Sequence, residues 1–278
     1  MATEFDFIFE EFAAELNAIG EMALGAQSGS AKSRIAAGNG ATLLLAAVFE
    51  EFVRQQVKAA YREQSRSMET FKELSSKLAS TIWRRAFDKF GRTPLEVFEA
   101  DITIAQSSFN SIVGFCIKKD SSSDVAEFIA HNENNMRLAQ MNSLFKSIGL
   151  SNVSREIAAD ARMIEFLGCE DAAQADQKLQ IYIEIFFKRR NEIAHAIKMG
   201  SSSGPTDLEN DIALFRQLAD SLTRHLVTFF ANRRTDTVHF AAMQAARPAR
   251  ARNRKKTVVV EQGDGTTVPI DTPMEGQT

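Results

Sequence analysis

The stretch Ile185-Phe186-Phe187-Lys188-Arg189-Arg190-Asn191-Glu192-Ile193-Ala194-His195 decides how this chain is built. Phe186, Arg190, Ile193 and Ile197 are separated by four, three and four residues, which sets them along one stripe of an α-helix. The stripe belongs to a helical pattern over Asp171 to Lys198 that also carries Leu179 and Tyr182. Gly200 to Gly204 then supplies a short loop, and Pro205 turns the chain. From Thr206 to Phe230 the pattern resumes with Leu208, Ile212, Phe215, Leu222, Leu226 and Phe229. Two long helices joined by so short a loop are expected to pack antiparallel, and the fold class that follows is an all-α bundle.

One residue in the stripe conflicts with its surroundings. An arginine among apolar side chains costs desolvation energy unless a carboxylate, a phosphate or a wet cleft receives it. Such conflicts tend to mark functional sites. Asn191 and His195 are four apart and share a face, whereas Arg190 and His195 lie about 140° apart around an ideal helix. The reach of arginine, a kink or a partner chain are three ways to close that gap. A second copy across a two-fold axis would gather two arginines and two histidines around one cleft. Imidazole can take a proton from a hydroxyl or give one to a leaving oxygen, and guanidinium can hold a charged phosphate, so the set suits phosphodiester chemistry. The plainer reading of the same residues is a salt bridge and a helix-end cap, with Lys188 and Arg189 on a solvated face.

Working outward, the chain continues to read as helical. Its prolines fall only at 94, 205, 248, 269 and 273, so nothing before Pro94 need break a long helix. Glu4 to Ala23 is an acidic helix with Phe5, Phe9, Phe12, Leu16 and Ile19 on or near one face, followed by a loop at Gln27 to Ser30. Leu45, Val48, Phe49, Phe52, Val53 and Val57 mark a second helix with apolar residues on more than one side. A third is expected over Met68 to Phe90, ended by Gly91. Short helices split at Ser107-Ser108 and at Ser121 to Ser123 should follow. Met136 to Ile148 is next, and then one helix from Ser151 or Asn152 through Phe166, stopped by Gly168. After about Phe240 a basic run (Arg247, Arg250, Arg252, Arg254, Lys255, Lys256) gives way to an acidic Gly/Thr/Pro segment, read as a mobile tail. The basic run is compatible with nucleic-acid contact, and Thr257 to Glu261 with adding a strand to a partner.

Composition bounds what such a bundle can do. The 278 residues carry 33 Lys and Arg against 36 Asp and Glu, a net charge of −3, which is unlike a coat protein of nucleic acid but leaves room for a local basic site. Cys116 and Cys169 lack metal-site spacing and form no disulfide framework, so reducing conditions are expected. The N-terminus has no Lys or Arg before Lys32, unlike a secretory leader, and the apolar run Ala41 to Phe49 is too short for a bilayer. A soluble, cytoplasmic protein is therefore expected. His131, His225 and His239 stand isolated and read as structural. No zinc-type His spacing, phosphate-binding glycine loop or paired-carboxylate pattern occurs, so neither a metal nor a nucleotide cofactor is expected.

Arg190-Asn191-Glu192-Ile193-Ala194-His195 resembles the R-x4-6-H signature of HEPN domains, in the form R-N-x-I-A-H. It is most similar to the RiboL-PSP-HEPN subgroup. Ala46-Ala47-Val48-Phe49-Glu50-Glu51-Phe52 is similar to the first core helix of that subgroup, and Asn142-Ser143-Leu144-Phe145-Lys146-Ser147-Ile148-Gly149-Leu150 to the segment leading into its later helices. The resemblance covers roughly residues 36 to 232. It implies a HEPN-like bundle over 31–240, with an acidic helical extension at 1–30 and a flexible tail at 241–278. It further implies a homodimer formed through the motif helices. Active members are metal-independent endoribonucleases of toxin–antitoxin or antiphage type, so RNA is the implied substrate and an antitoxin or defence component the implied partner. On that pattern Arg190 and His195 are the catalytic pair, and Asn191 orients the histidine or the substrate. Glu50 is an acidic position that pairs with Arg190 or assists it, and Arg189 is an auxiliary phosphate contact. Many members act without catalysis, and a noncatalytic dimer that binds a protein or nucleic acid is the alternative.

Overall fold

The computed structural model describes residues 2–66, 78–131, 135–195, 204–246, 258–261 and 267–270, with side chains described as far as residue 233. The chain opens on α1 (Glu4–Gly25), whose first turn is closed by a capping box: Asp6 N donates to Thr3 Oγ1 at 3.3 Å and Thr3 N to Asp6 Oδ2 at 2.6 Å. A single 3-10 turn (Ala26–Ser28) leads into α2 (Ala31–Arg66). Phe5, Phe12, Leu16 and Ile19 of α1 are all buried, so the acidic helix contributes its apolar stripe to the same core as α2. An 18-residue window of α2 has a mean hydropathy of 1.3, apolar and long enough to cross a membrane by composition. In the fold its Leu45, Phe49, Val53 and Val57 are fully buried against neighbouring helices.

Next come α3 (Leu78–Arg92), α4 (Leu95–Ala100), α5 (Ile102–Cys116), α6 (Ala126–Ile129) and α7 (Leu138–Ser147). Residues 68–77 of the expected third helix lie outside the described residues. Gly91 does not stop α3, which runs on to Arg92; the stops that hold are Gly149 at φ +92° and Gly168 at φ +61°, where the left-handed turn favours glycine. The break expected at Ser107-Ser108 is absent. There α5 continues, because serine costs a helix interior only a few tenths of a kcal/mol and Asp101 caps the start by accepting from Thr103 N at 3.0 Å. The single helix expected over 151–166 is instead two, α8 (Val153–Ala158) and α9 (Ala161–Leu167). Asp160 makes the break: its carboxylate takes Arg162 N at 2.9 Å and restarts the helix as an N-cap.

The last helices are α10 (Ala172–His195) and α11 (Pro205–Ala246). Pro205 sits at the first helical position, where its fixed φ and missing N–H cost nothing. Ile197, Lys198 and the loop from Gly200 to Ser203 lie outside the described residues. Phe186 meets Phe215 at 4.6 Å between ring centroids and Arg189 pairs with Asp211, so partner numbers fall as α10 advances and the two helices run antiparallel. Phe215 packs in turn against Phe49 in a tilted pair at 4.5 Å, and Phe49 lies 6.3 Å from Phe12. An aromatic chain thus ties the motif helix, one turn before Arg190, to α11, α2 and α1. Gln56, fully buried, adds a polar tie across the same core, donating to Phe5 O at 3.2 Å and Thr223 Oγ1 at 3.1 Å.

The chain divides into compact units at 1–231 and 232–278. In the second, β1 (Val258–Glu261) pairs antiparallel with β2 (Thr267–Ile270), Val258 opposite Ile270. The segment expected to be able to add a strand to a partner chain thus forms a strand, paired on one side with β2. The basic run Arg247 to Lys256 lies outside the described residues.

Candidate functional site

Three residues of the segment 135–137 staple α10 to α2. Asn135 Nδ2 donates to Asn191 Oδ1 at 2.9 Å, Met136 N donates to Glu50 Oε1 at 3.4 Å, and Arg137 pairs with Glu184. Glu50 also pairs with Arg54 at 3.4 Å, one helical turn on. Its carboxylate is thus used to hold Arg54 and a backbone N–H, and no ion pair joins it to Arg190 among the described residues. Asn135 and Arg137 were not singled out in the sequence. The only signal there is two polar residues just before an apolar helix, which reads equally as a loop.

Arg190 is half-buried. Its Nη1 donates to Asn191 Oδ1 at 3.3 Å, and its Nε is buried with no hydrogen-bond partner among the described residues. No carboxylate lies within ion-pair distance of it among those residues. Asn191 therefore receives both Arg190 and Asn135 on one oxygen, and no hydrogen bond joins it to His195 among the described residues. The latter is the last residue of α10 and is exposed. α10 is continuous from Ala172 to His195, so regular helical geometry sets Arg190 and His195 about 140° apart. Arg190 leans toward the packed side of the helix and His195 stands on its outer side with Ile181 and Ile185, which are 50% and 54% exposed.

Arg189 is committed elsewhere. It forms an ion pair with Asp211 of α11 and its guanidinium lies 5.9 Å from the Phe186 ring centroid. Burial pushes the Asp211 carboxyl up to about 6 against the opposing pull of Arg189. This has a testable consequence. With a folded pKa above its ordinary value of 3.8, Asp211 favours the fold at low pH and loses that contribution as pH rises through about 6. Arg189→Ala removes the cation that compensates the carboxylate, so it should cost about 1–3 kcal/mol. The loss in melting temperature should be clearly larger at pH 7.5 than at pH 5, where Asp211 is protonated. Equal losses at both pH values would separate Arg189 from the charge of Asp211.

Among the described residues no three His, Cys, Asp or Glu side chains gather as a metal site would require. Neither a curated protein nor a solved structure gives a match to this chain. A family model does: RiboL-PSP-HEPN matches residues 3–228. The match begins at the capping box of α1, well before residue 36, in keeping with the packing of α1 into the common core. It spans the all-helical bundle and the 190–195 motif with the staple that holds it, and the chain belongs to the RiboL-PSP-HEPN family.

Proposed function

We propose that this protein is a cytoplasmic, homodimeric endoribonuclease of toxin–antitoxin or antiphage type that cleaves RNA without a metal ion. The observation that carries the reading is Arg190: a half-buried guanidinium on the motif helix, aligned by Asn191 and with no carboxylate in ion-pair range among the described residues. A cation so placed can receive a phosphate oxygen through charge-assisted hydrogen bonds. His195, exposed at the end of the same helix, takes the proton of a ribose 2′-hydroxyl. The 2′-oxygen attacks phosphorus, the P–O5′ bond breaks, and the departing 5′-oxygen gains a proton. Arg190 offsets the charge that builds on the phosphorane oxygens.

Two copies fit this chemistry better than one. Arg190 and His195 of one helix diverge, so the partner's motif helix is needed to complete the set around one phosphate. Ile181, Tyr182 and Ile185 leave an apolar, exposed face on α10 for that contact. The test uses a labelled single-stranded RNA and its analogue with 2′-deoxyribose at the cut site. The RNA should yield 2′,3′-cyclic phosphate and 5′-hydroxyl ends, and the analogue should stay intact, because the nucleophile is missing. Cleavage of both would refute 2′-hydroxyl attack.

The same geometry favours one second reading. Asn191 holds Arg190 and Asn135 rather than His195, as in a noncatalytic dimer whose motif serves packing and partner binding. Intact RNA with a persistent dimer would establish it.

A further inference from the structure

On the far end of α7 from the motif, a second cationic site stands open. Thr81, Arg84, Arg85 and Asp88 recur at helical spacing on α3, and Ser143, Lys146 and Ser147 do the same on α7; together they line an open notch of about 670 Å³. Arg84 and Lys146 are exposed, with no carboxylate within ion-pair distance among the described residues. Arg85 is half-buried and anchored by a hydrogen bond to Ile129 O. Its basicity is lowered by burial and then by the like charge of Arg84. Among the described residues that line the notch the one carboxylate, Asp88, is drawn off by Arg92 at 3.3 Å and His131 at 3.7 Å. Three cations and three hydroxyls thus line the notch against a single described carboxylate that Arg92 and His131 already engage, in a chain whose net charge is −3.

We infer that this notch, formed by Arg84, Arg85 and Lys146 between α3 and α7, binds a phosphate of the RNA backbone at a distance from the motif. The inference rests on the nuclease reading for its choice of ligand and adds a second contact to it. Two features favour a nucleic acid over a free phosphate compound. Phe87, one turn from Arg84 on α3, packs against Trp83 at 4.8 Å and Phe90 at 6.4 Å yet stays 46% exposed, leaving aromatic surface beside the notch that a base can cover. The ten residues of α7 span about 15 Å; they separate Lys146 from Asn135, which touches the motif, so one strand several nucleotides long can reach both.

The experiment measures binding of a fluorescent single-stranded RNA by anisotropy, in full-length protein carrying His195→Ala so that the RNA is not cut. Adding Arg84→Gln and Lys146→Gln should weaken binding at least tenfold. It should also reduce the slope of log affinity against log salt by about 0.7, the contribution of one neutralised phosphate on a single strand. Circular dichroism should be unchanged, as both side chains are exposed. An unchanged affinity and slope would overturn the inference. So would calorimetry in which inorganic phosphate or pyrophosphate loses binding in the double variant while RNA does not, since the notch would then serve a free anion. Cleavage by the chain with native His195 is scored separately. A protein that cuts RNA without needing the notch loses only this inference, and one that binds RNA through the notch but never cuts loses only the nuclease.

Discussion

Cleavage of RNA should fall roughly 10²–10⁴-fold on His195→Ala, the range set by loss of a general acid–base group. The side chain is exposed at the end of α10 and makes no hydrogen bond among the described residues, so its removal leaves the packing of the helix intact. Thermal stability and oligomeric state should match the parent, which separates a chemical loss from a folding one. Measuring the rate against pH in the parent adds a check that a structural role would not pass. A catalytic imidazole leaves a pH-dependent limb that disappears in the variant. A variant that cuts as fast as the parent would end the assignment of His195 and favour the noncatalytic dimer.

The largest effect on stability is expected from Phe49→Ala. Phe49 is fully buried where α1, α2 and α11 meet, 4.5 Å from Phe215 and 6.4 Å from Phe52 by ring centroid. Deleting it removes apolar burial and leaves a cavity whose walls come from separate helices, at a cost of about 3–5 kcal/mol. Phe49→Leu keeps most of the volume and should cost less than about 1.5 kcal/mol, provided the cavity can repack. Urea denaturation midpoints give both values. Because Phe215 also supports Phe186, the alanine variant should lose RNA cleavage in parallel with folded protein, whereas His195→Ala loses it without unfolding. A cost below about 1 kcal/mol would show that the aromatic chain is not the support of the motif helix.

Much of the fold is legible along the chain because it is local. The apolar spacing of Phe5, Phe12 and Leu16, of Leu45, Phe49 and Val53, and of Leu179 and Phe186 repeats near 3.6 residues. Each set is buried where the pattern puts it. The stops at Gly149 and Gly168 are legible for the same reason. Misreadings arise where two local signals compete: Asp160 caps a new helix inside an apolar pattern, and Ser107-Ser108 looks like a break but is spanned by α5. The acidic composition of α1 describes only its wet face, while four buried side chains seat it in the core.

For the site, the sequence by itself determined the residue types and the helix that carries them. The spacing of Arg190, Asn191 and His195 follows from helical geometry alone, as does the mismatch of an arginine with its apolar stripe. Tertiary structure alone decided the partners. Arg189 reads as a free cation until α11 brings Asp211 to it from 22 residues away, and Glu50 reads as a partner for Arg190 until Met136, 86 residues on, takes its carboxylate. Asn135 gains its role only when packing sets it against Asn191, 56 residues distant. The physical reason is that helix periodicity is encoded within a few residues. The donor or acceptor that meets a side chain is chosen by how whole helices seat on one another, and no local window contains that information.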